Sequence, residues 1–167
     1  MLRSTALCLV LALLAPASPH GALPAAAAAH EVQFAVIVHP STPVEDVTLA
    51  QLRRLFLGQQ QFWSGGGRVV LFVHPAGTAE GDAVLRHLYQ MTAAEYKRYW
   101  IAKTFRDDIA SGPKIVSSNA MARRLTASVP GAIAVIAAAD ADSTVKVLSI
   151  DRQLPGVGDY PLAGRSP

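Results

Sequence analysis

Gly77-Thr78 stands directly ahead of Ala79-Glu-Gly-Asp-Ala-Val84, a run that reads as the opening of a helix. Free N–H groups and the dipole at a helix start favour negative charge, and the Thr hydroxyl adds a donor. A plain N-cap is the alternative reading, with Glu80 and Asp82 complementing the dipole. Those two acids would repel a bound anion. Ser117-Ser118-Asn119 offers a second helix start with hydroxyl donors, and an ordinary cap is again the alternative. His39 and His74 each follow a strand-like run and precede a Pro. As a pair at one sheet edge they could bind an anion when protonated, or a metal. Two His without a third fixed ligand make a weak metal signal, and loop residues at strand ends are the plainer reading. His30 could chelate copper through its amine and ring if it became the N-terminal residue.

Other features carry less chemistry. Arg53-Arg54, Lys97-Arg98 and Arg123-Arg124 are basic pairs on predicted helices and read as solvated faces. Tyr96, Tyr99, Trp100 and Phe105 read as core. There is no Ser/His/Asp order, no Gly-x-Ser-x-Gly, no Walker loop and no zinc pattern. The sequence therefore gives no support to an enzyme and implies no cofactor and no metal.

The elements that must position these residues belong to a chain of 167 residues, 51% hydrophobic, with a formal net charge of +3. That composition excludes a disordered chain. The small charge and the lack of a Lys/Arg-rich run give no support to a nucleic-acid partner. A single Cys permits neither an intramolecular disulfide nor a multi-Cys metal cluster.

The N-terminus has the three-part pattern of a secretory signal peptide: Arg3, an apolar run from Ala6 to Ala15, and the small-residue stretch Ala25 to Ala29. Residues 1–29 are expected to be removed, leaving His30 first; cleavage after Ala17 is the other possibility. Cys8 lies within the apolar run, so no lipid anchor is expected. No later segment is apolar for about 18 residues, the length a membrane helix needs. The mature product is expected to be periplasmic or secreted, with no membrane segment after cleavage.

Val32 to Val38 and Arg68 to Val73 read as buried strands, each stopped by His-Pro. Thr48 and Gln51 have capping-box spacing, as do Thr92 and Glu95. The first box predicts a helix through Leu52, Leu55 and Phe56 that stops at Gly58; the second predicts a helix carrying Tyr96, Tyr99 and Trp100. Thr78 caps a predicted helix to about Gln90. Lys103 to Pro113 reads as a loop, and Lys114 to Val116 as a short strand. Ser117 or Ser118 caps a helix through Met121 and Leu125, ended by Pro130-Gly131. Ala132 to Ile136 and Val145 to Ile150 read as strands, and the Gly- and Pro-containing tail as irregular. Strands alternating with helices argue for an α/β domain with a mixed or largely parallel sheet.

Three stretches together resemble the phosphate-binding protein family of ABC transporters, within the type 2 periplasmic binding proteins. The first is FAVIVHPSTPVEDVTLAQLRRLFLGQQQFWSGG, from Phe34. The second is HPAGTAEGDAVLRHLYQMTAAEYKRYW, from His74. The third is VSSNAMARRLTASVPGAIAVI, from Val116 to Ile136. Leu55-Phe56-Leu57-Gly58 and Val129-Pro130-Gly131-Ala132-Ile133 are the most specific pieces. Family members fold into two lobes that close on the ligand, and the match here covers one lobe with the crossover strand. Gly77 and Thr78 match the first half of the family's Gly-Ser-Gly-Thr phosphate loop, whereas Ala79 and Glu80 stand where Gly-Thr is expected. His74 stands where the family has a basic residue shortly before the loop.

The resemblance implies a three-layer α/β/α domain with a mixed sheet, over residues 30–153, followed by an irregular tail over 154–167. It implies a non-enzymatic solute-binding protein for phosphate or another small oxyanion. Ligand contacts would come from Gly77, Thr78, Ala79 and His74, with Ser117 and Ser118 at the second helix start. The partner would be an ABC transporter or a periplasmic sensor. A protein-interaction or sensor-input module without high-affinity ligand binding is the alternative.

Overall fold

A computed structural model describes residues 31–106, 112–157 and 160–165. The expected signal peptide, its cleavage sites and His30 lie outside these residues.

The chain opens with strand β1 (Glu31–Val38), followed by the two-residue β2 (Asp46–Val47) and helix α1 (Leu49–Phe56). Strand β3 (Val70–Val73) leads into α2 (Ala79–Val84), which widens into a π-helical turn over Leu85–Tyr89. Helix α3 (Ala93–Phe105), the short β4 (Lys114–Ile115), α4 (Asn119–Ser128) and β5 (Ala132–Ala137) follow. The chain then forms a 3-10 turn (Ala138–Asp140), β6 (Lys146–Val147), β7 (Ser149–Ile150) and β8 (Ala163–Arg165).

The main sheet is mixed, in the order β4-β3-β5-β1-β6, with β8 also paired to β1. Strands β4, β3 and β5 are mutually parallel, and β1 is antiparallel to β5. Side chains alternate across the sheet, as a pleated strand requires. Phe34, Val36 and Val38 face one apolar cluster with Ile133 and Val135. Ala35 and Ile37 face the other, with Ala132, Ala134 and Ile136. The first cluster is covered by Leu52, Leu55 and Phe56 of α1, Ala83 and Val84 of α2, and Trp100 of α3. The second is covered by α4 through Ala122. The small Ala side chains on that face let a single helix lie close. The result is the expected three-layer α/β/α architecture.

Local chemistry sets the helix starts. In α1, Gln51 N–H donates to Thr48 Oγ1 at 3.2 Å, and Thr48 N–H donates back to Gln51 Oε1 at 2.9 Å. Thr92 and Glu95 repeat this box at α3. Each box satisfies two donors that a helix start otherwise leaves unpaired.

Five expectations need correction. His39 and His74 do not share a sheet edge. Because β1 runs antiparallel to β5, the end of β1 lies beside the start of β5, where His39 N–H donates to Ala132 O at 3.1 Å. His74 ends β3 at the opposite edge. Phe105 is 86% exposed, not core. Five residues beyond Trp100, it is turned well away from the buried face of α3. That helix reaches Phe105, inside the stretch read as a loop from Lys103; residues 107–111 lie outside the described ones. The stretch Val145 to Ile150 is two strands. Leu148 is buried between them, β6 pairs with β1, and β7 pairs in parallel with β2. Finally, the tail is not wholly irregular. With β5 on one side of β1, the polar backbone groups at the start of β1 need partners on the other. β8 supplies them, Phe34 N–H donates to Leu162 O at 3.2 Å, and Tyr160 and Leu162 are buried.

Candidate functional site

The C-terminal ends of the parallel strands β3, β4 and β5 lie along one edge of the sheet. Open α/β sheets bind ligands beyond such ends. Three segments leave this edge: His74 to Thr78 into α2, Val116 to Ser118 into α4, and the turn Ala138–Asp140. The sequence-predicted residues Gly77, Thr78, Ala79, Ser117 and Ser118 are therefore brought to one place.

The first loop is closed on itself. Thr78 caps α2: its Oγ1 accepts from Gly81 N–H at 3.1 Å and donates to Pro75 O at 2.8 Å. Gly77 adopts φ +89°, a region L side chains rarely enter, and donates its N–H to Asp82 Oδ1 at 2.8 Å. A Cβ on Gly81 would lie 2.1 Å from Pro75 O, so only glycine lets the helix start approach the strand end this closely. The Asp82 carboxylate thus occupies a backbone donor that a bound anion would use.

Gly77 is exposed, and Thr78 and Ala79 are half-buried. His74, by contrast, is only 7% exposed, and its Nε2 has no hydrogen-bond partner. Burial lowers its pKa from the ordinary value, and the nearby Glu80 carboxylate opposes part of that shift.

At the second helix start, Ser118 Oγ accepts from Met121 N–H at 3.2 Å. Ser117 Oγ lies 3.6 Å from Met121 Sδ, and both serines are exposed. Asn119 then ties the segments together. Its Nδ2 donates to Glu80 Oε1 at 2.8 Å and to Asp140 Oδ2 at 2.7 Å. Arg123 adds a hydrogen bond to Asp140 O and a 3.2 Å ion pair with Asp142. Glu80 stood out in the sequence, but Asp140, which accepts from the same Asn119 amide, did not. The available signal was Asp140-Ala-Asp142 directly after a strand that ends at the ligand edge. Chemically, two helix starts and several hydroxyls favour an anion here, and Glu80, Asp82 and Asp140 oppose it. Among the described residues, no group of three or more His, Cys, Asp and Glu could hold a metal ion.

The basic pairs divide between roles. Arg54, Lys97, Arg98 and Arg124 are exposed. Arg53 is half-buried and donates from Nε to His87 O at 3.0 Å, joining α1 to the π-helical turn. Arg123 joins α4 to the segment after β5.

No family model matches the chain, and no curated protein matches it in sequence. Solved structures match it in shape. An ABC-type phosphate transport receptor from Vibrio cholerae aligns with a TM-score of 0.65 at 18% identity, over 81% of this chain and 55% of that one. A protein from Clostridium perfringens, described as a phosphate ABC transporter substrate-binding protein and solved with bound phosphate, aligns at 0.62 and 20% identity, over 80% and 53%. PstS from Borrelia burgdorferi aligns at 0.64 and 15% identity, over 81% and 55%.

This chain shares their fold. It spans little more than half the length of these phosphate-binding proteins, as a single-lobe form would. Two motifs of the phosphate-binding-protein resemblance now have a structural meaning. The Leu-Phe-Leu-Gly piece ends α1, where Gly58 takes φ +62°. The Pro-Gly-Ala-Ile piece turns α4 into β5 at Gly131, with φ +79°. No described helix is long and apolar enough to cross a membrane.

Proposed function

We propose that this chain is an exported, non-enzymatic solute-binding-like protein, related to the phosphate-binding components of ABC transporters. It contacts phosphate or another small oxyanion weakly at the paired starts of α2 and α4. The observation that carries this reading is the convergence of the Thr78 and Ser118 helix starts at one sheet edge, joined by the Asn119–Glu80 hydrogen bond. The phosphate bound by the Clostridium perfringens neighbour supports the ligand class. Gly77, Thr78, Ala79, Ser117 and Ser118 would supply the contacts, while His74 lies buried at the end of β3. Affinity is low because the site is open to water, which screens its dipoles, and because Glu80 and Asp82 already fill the favourable field.

Calorimetry with phosphate at fixed ionic strength tests this, using protein recovered from the cell envelope. Weak, saturable heat that disappears in Thr78→Val supports it; tight binding, or binding indifferent to Thr78, means the site lies elsewhere. N-terminal sequencing of the same protein should begin at His30 or just after Ala17. Recovery of the chain with Met1 from the cytosol would refute export.

A second reading has its own support. Gly77 N–H is already bound to Asp82, and α3 exposes Ile101 and Phe105 one helical turn apart. A lobe with an occupied anion loop and an exposed apolar pair fits a periplasmic protein-interaction or sensor-input module. Absence of any phosphate heat, with a partner whose binding is lost in Phe105→Ala, would favour it.

A further inference from the structure

A cavity of about 20 Å³ lies where the end of β3 meets the π-helical turn and α3, lined by His74, Val84, Leu85, Tyr89 and Tyr96. Two of these side chains carry an unsatisfied polar atom. His74 is 7% exposed and Tyr89 4%, and neither His74 Nε2 nor the Tyr89 hydroxyl has a hydrogen-bond partner among the described residues. The Tyr89 hydroxyl cannot swing out to solvent. Phe56, Tyr96 and Trp100 pack edge-on against its ring, with centroids 6.1, 4.7 and 6.4 Å away. An unusual backbone presents that ring. Gln90 N–H reaches back five residues to Leu85 O, and Gln90 takes φ +54°. Such π-helical turns are rare inside helices and are frequent at functional sites. Burial keeps the His74 ring neutral at pH 7, so Nε2 offers either one donor or one acceptor.

We propose that this cavity is a binding site for one water molecule, which joins His74 Nε2 to the Tyr89 hydroxyl. Volume sets the ligand class. A water needs about 10–15 Å³ of such space, so 20 Å³ admits one and excludes an oxyanion or an organic molecule. Chemistry agrees with size. Water both donates and accepts, so it matches either tautomer of the ring and either orientation of the phenol hydroxyl. Two polar atoms left unbonded in a low-dielectric interior are costly, and one bridging water satisfies both at a small loss of its own freedom. The bridge ties the strand end from which the Gly77-Thr78 loop departs to the π-helical turn. It needs no ligand at the helix starts, so it stands apart from the oxyanion reading.

A crystal structure of the protein, grown near pH 7.5 and at a resolution that orders water, tests this. One water is expected within hydrogen-bond distance of both His74 Nε2 and the Tyr89 hydroxyl. Tyr89→Phe keeps the ring and removes one partner. Its crystals should show that water lost, since one bond does not hold a water in an otherwise apolar cavity. Urea unfolding at the same pH gives a second readout. His74→Leu and Tyr89→Phe should each lower stability, and the double variant should lose less than the sum of the two, because either change alone breaks the bridge. A dry cavity would overturn the site. So would a direct His74–Tyr89 hydrogen bond, a larger molecule in the cavity, a water that persists in Tyr89→Phe, or additive losses. Should His74→Leu fail to fold, the two crystal structures decide alone.

Discussion

Trp63 donates its indole N–H to the carbonyl of Gly131 at 3.0 Å, across 68 positions of sequence. The contact locks the loop after α1 onto the turn between α4 and β5. Gly131 itself has no freedom to change: its φ is +79°, and a Cβ there would lie 2.1 Å from Arg68 O.

Gly131→Ala should therefore destabilise the fold by at least about 2 kcal/mol, from left-handed backbone strain plus the clash. Trp63→Phe keeps an aromatic ring but removes this donor; Gly131 O still accepts from Val70 N–H, so the loss should be about 1 kcal/mol, that of one hydrogen bond. Urea unfolding of the three proteins checks the order. A Gly131→Ala midpoint equal to the parent's would show that the turn can relax.

Trp100 and Phe105 sit on the same helix with opposite fates. Trp100 is 8% exposed and packs edge-on to Tyr89, Tyr96 and Tyr99. Trp100→Ala should cost roughly 3–5 kcal/mol. Phe105→Ala should change stability by no more than about 0.5 kcal/mol, because the ring is in solvent. Similar losses in both variants would mean that Phe105 is covered in solution.

The buried His74 should make stability fall on mild acidification. Burial holds its folded-state pKa below the ordinary value, so the unfolded chain takes up the proton first. Stability then rises with pH across the window between the folded pKa and about 6.5. The contribution is fully present above that window and is lost as pH falls through the folded pKa. His74→Leu should flatten this part of the profile. Parallel profiles for parent and variant between pH 7.5 and 5.5 would show that His74 titrates alike in both states.

Glu80→Thr places a hydroxyl where a carboxylate now stands in the first turn of α2. It removes repulsion of an incoming anion and adds a donor. Phosphate affinity should rise by on the order of 1 kcal/mol, or several-fold. Calorimetry on parent and variant reads this directly. Measurable parent binding with no gain in the variant would place the ion away from α2.

Much of this protein is written locally. The two capping boxes, the stops at Gly58 and Pro130-Gly131, and the apolar runs of β1, β3 and β5 follow from spacing of a few residues. Such signals act between neighbours in the chain, so the sequence displays them. The order of three motif stretches also sufficed to anticipate the layered fold. What pairs with what depended on strand direction, which no local signal encodes. Reversal of β1 against β5 sends His39 and His74 to opposite edges, although their His-Pro pairs look alike. The open side of β1 recruits β8 from a tail whose Gly and Pro suggested no regular structure. At the site, Thr78 and Ser118 were legible as helix starts. That Asp82 would fill the Gly77 donor, five positions away, depended on how the loop closes. That Asn119 would be shared by Glu80 and Asp140 required side chains 39 and 21 positions apart to meet. Only tertiary packing brings such groups within hydrogen-bond distance, and their charges govern what the edge can hold.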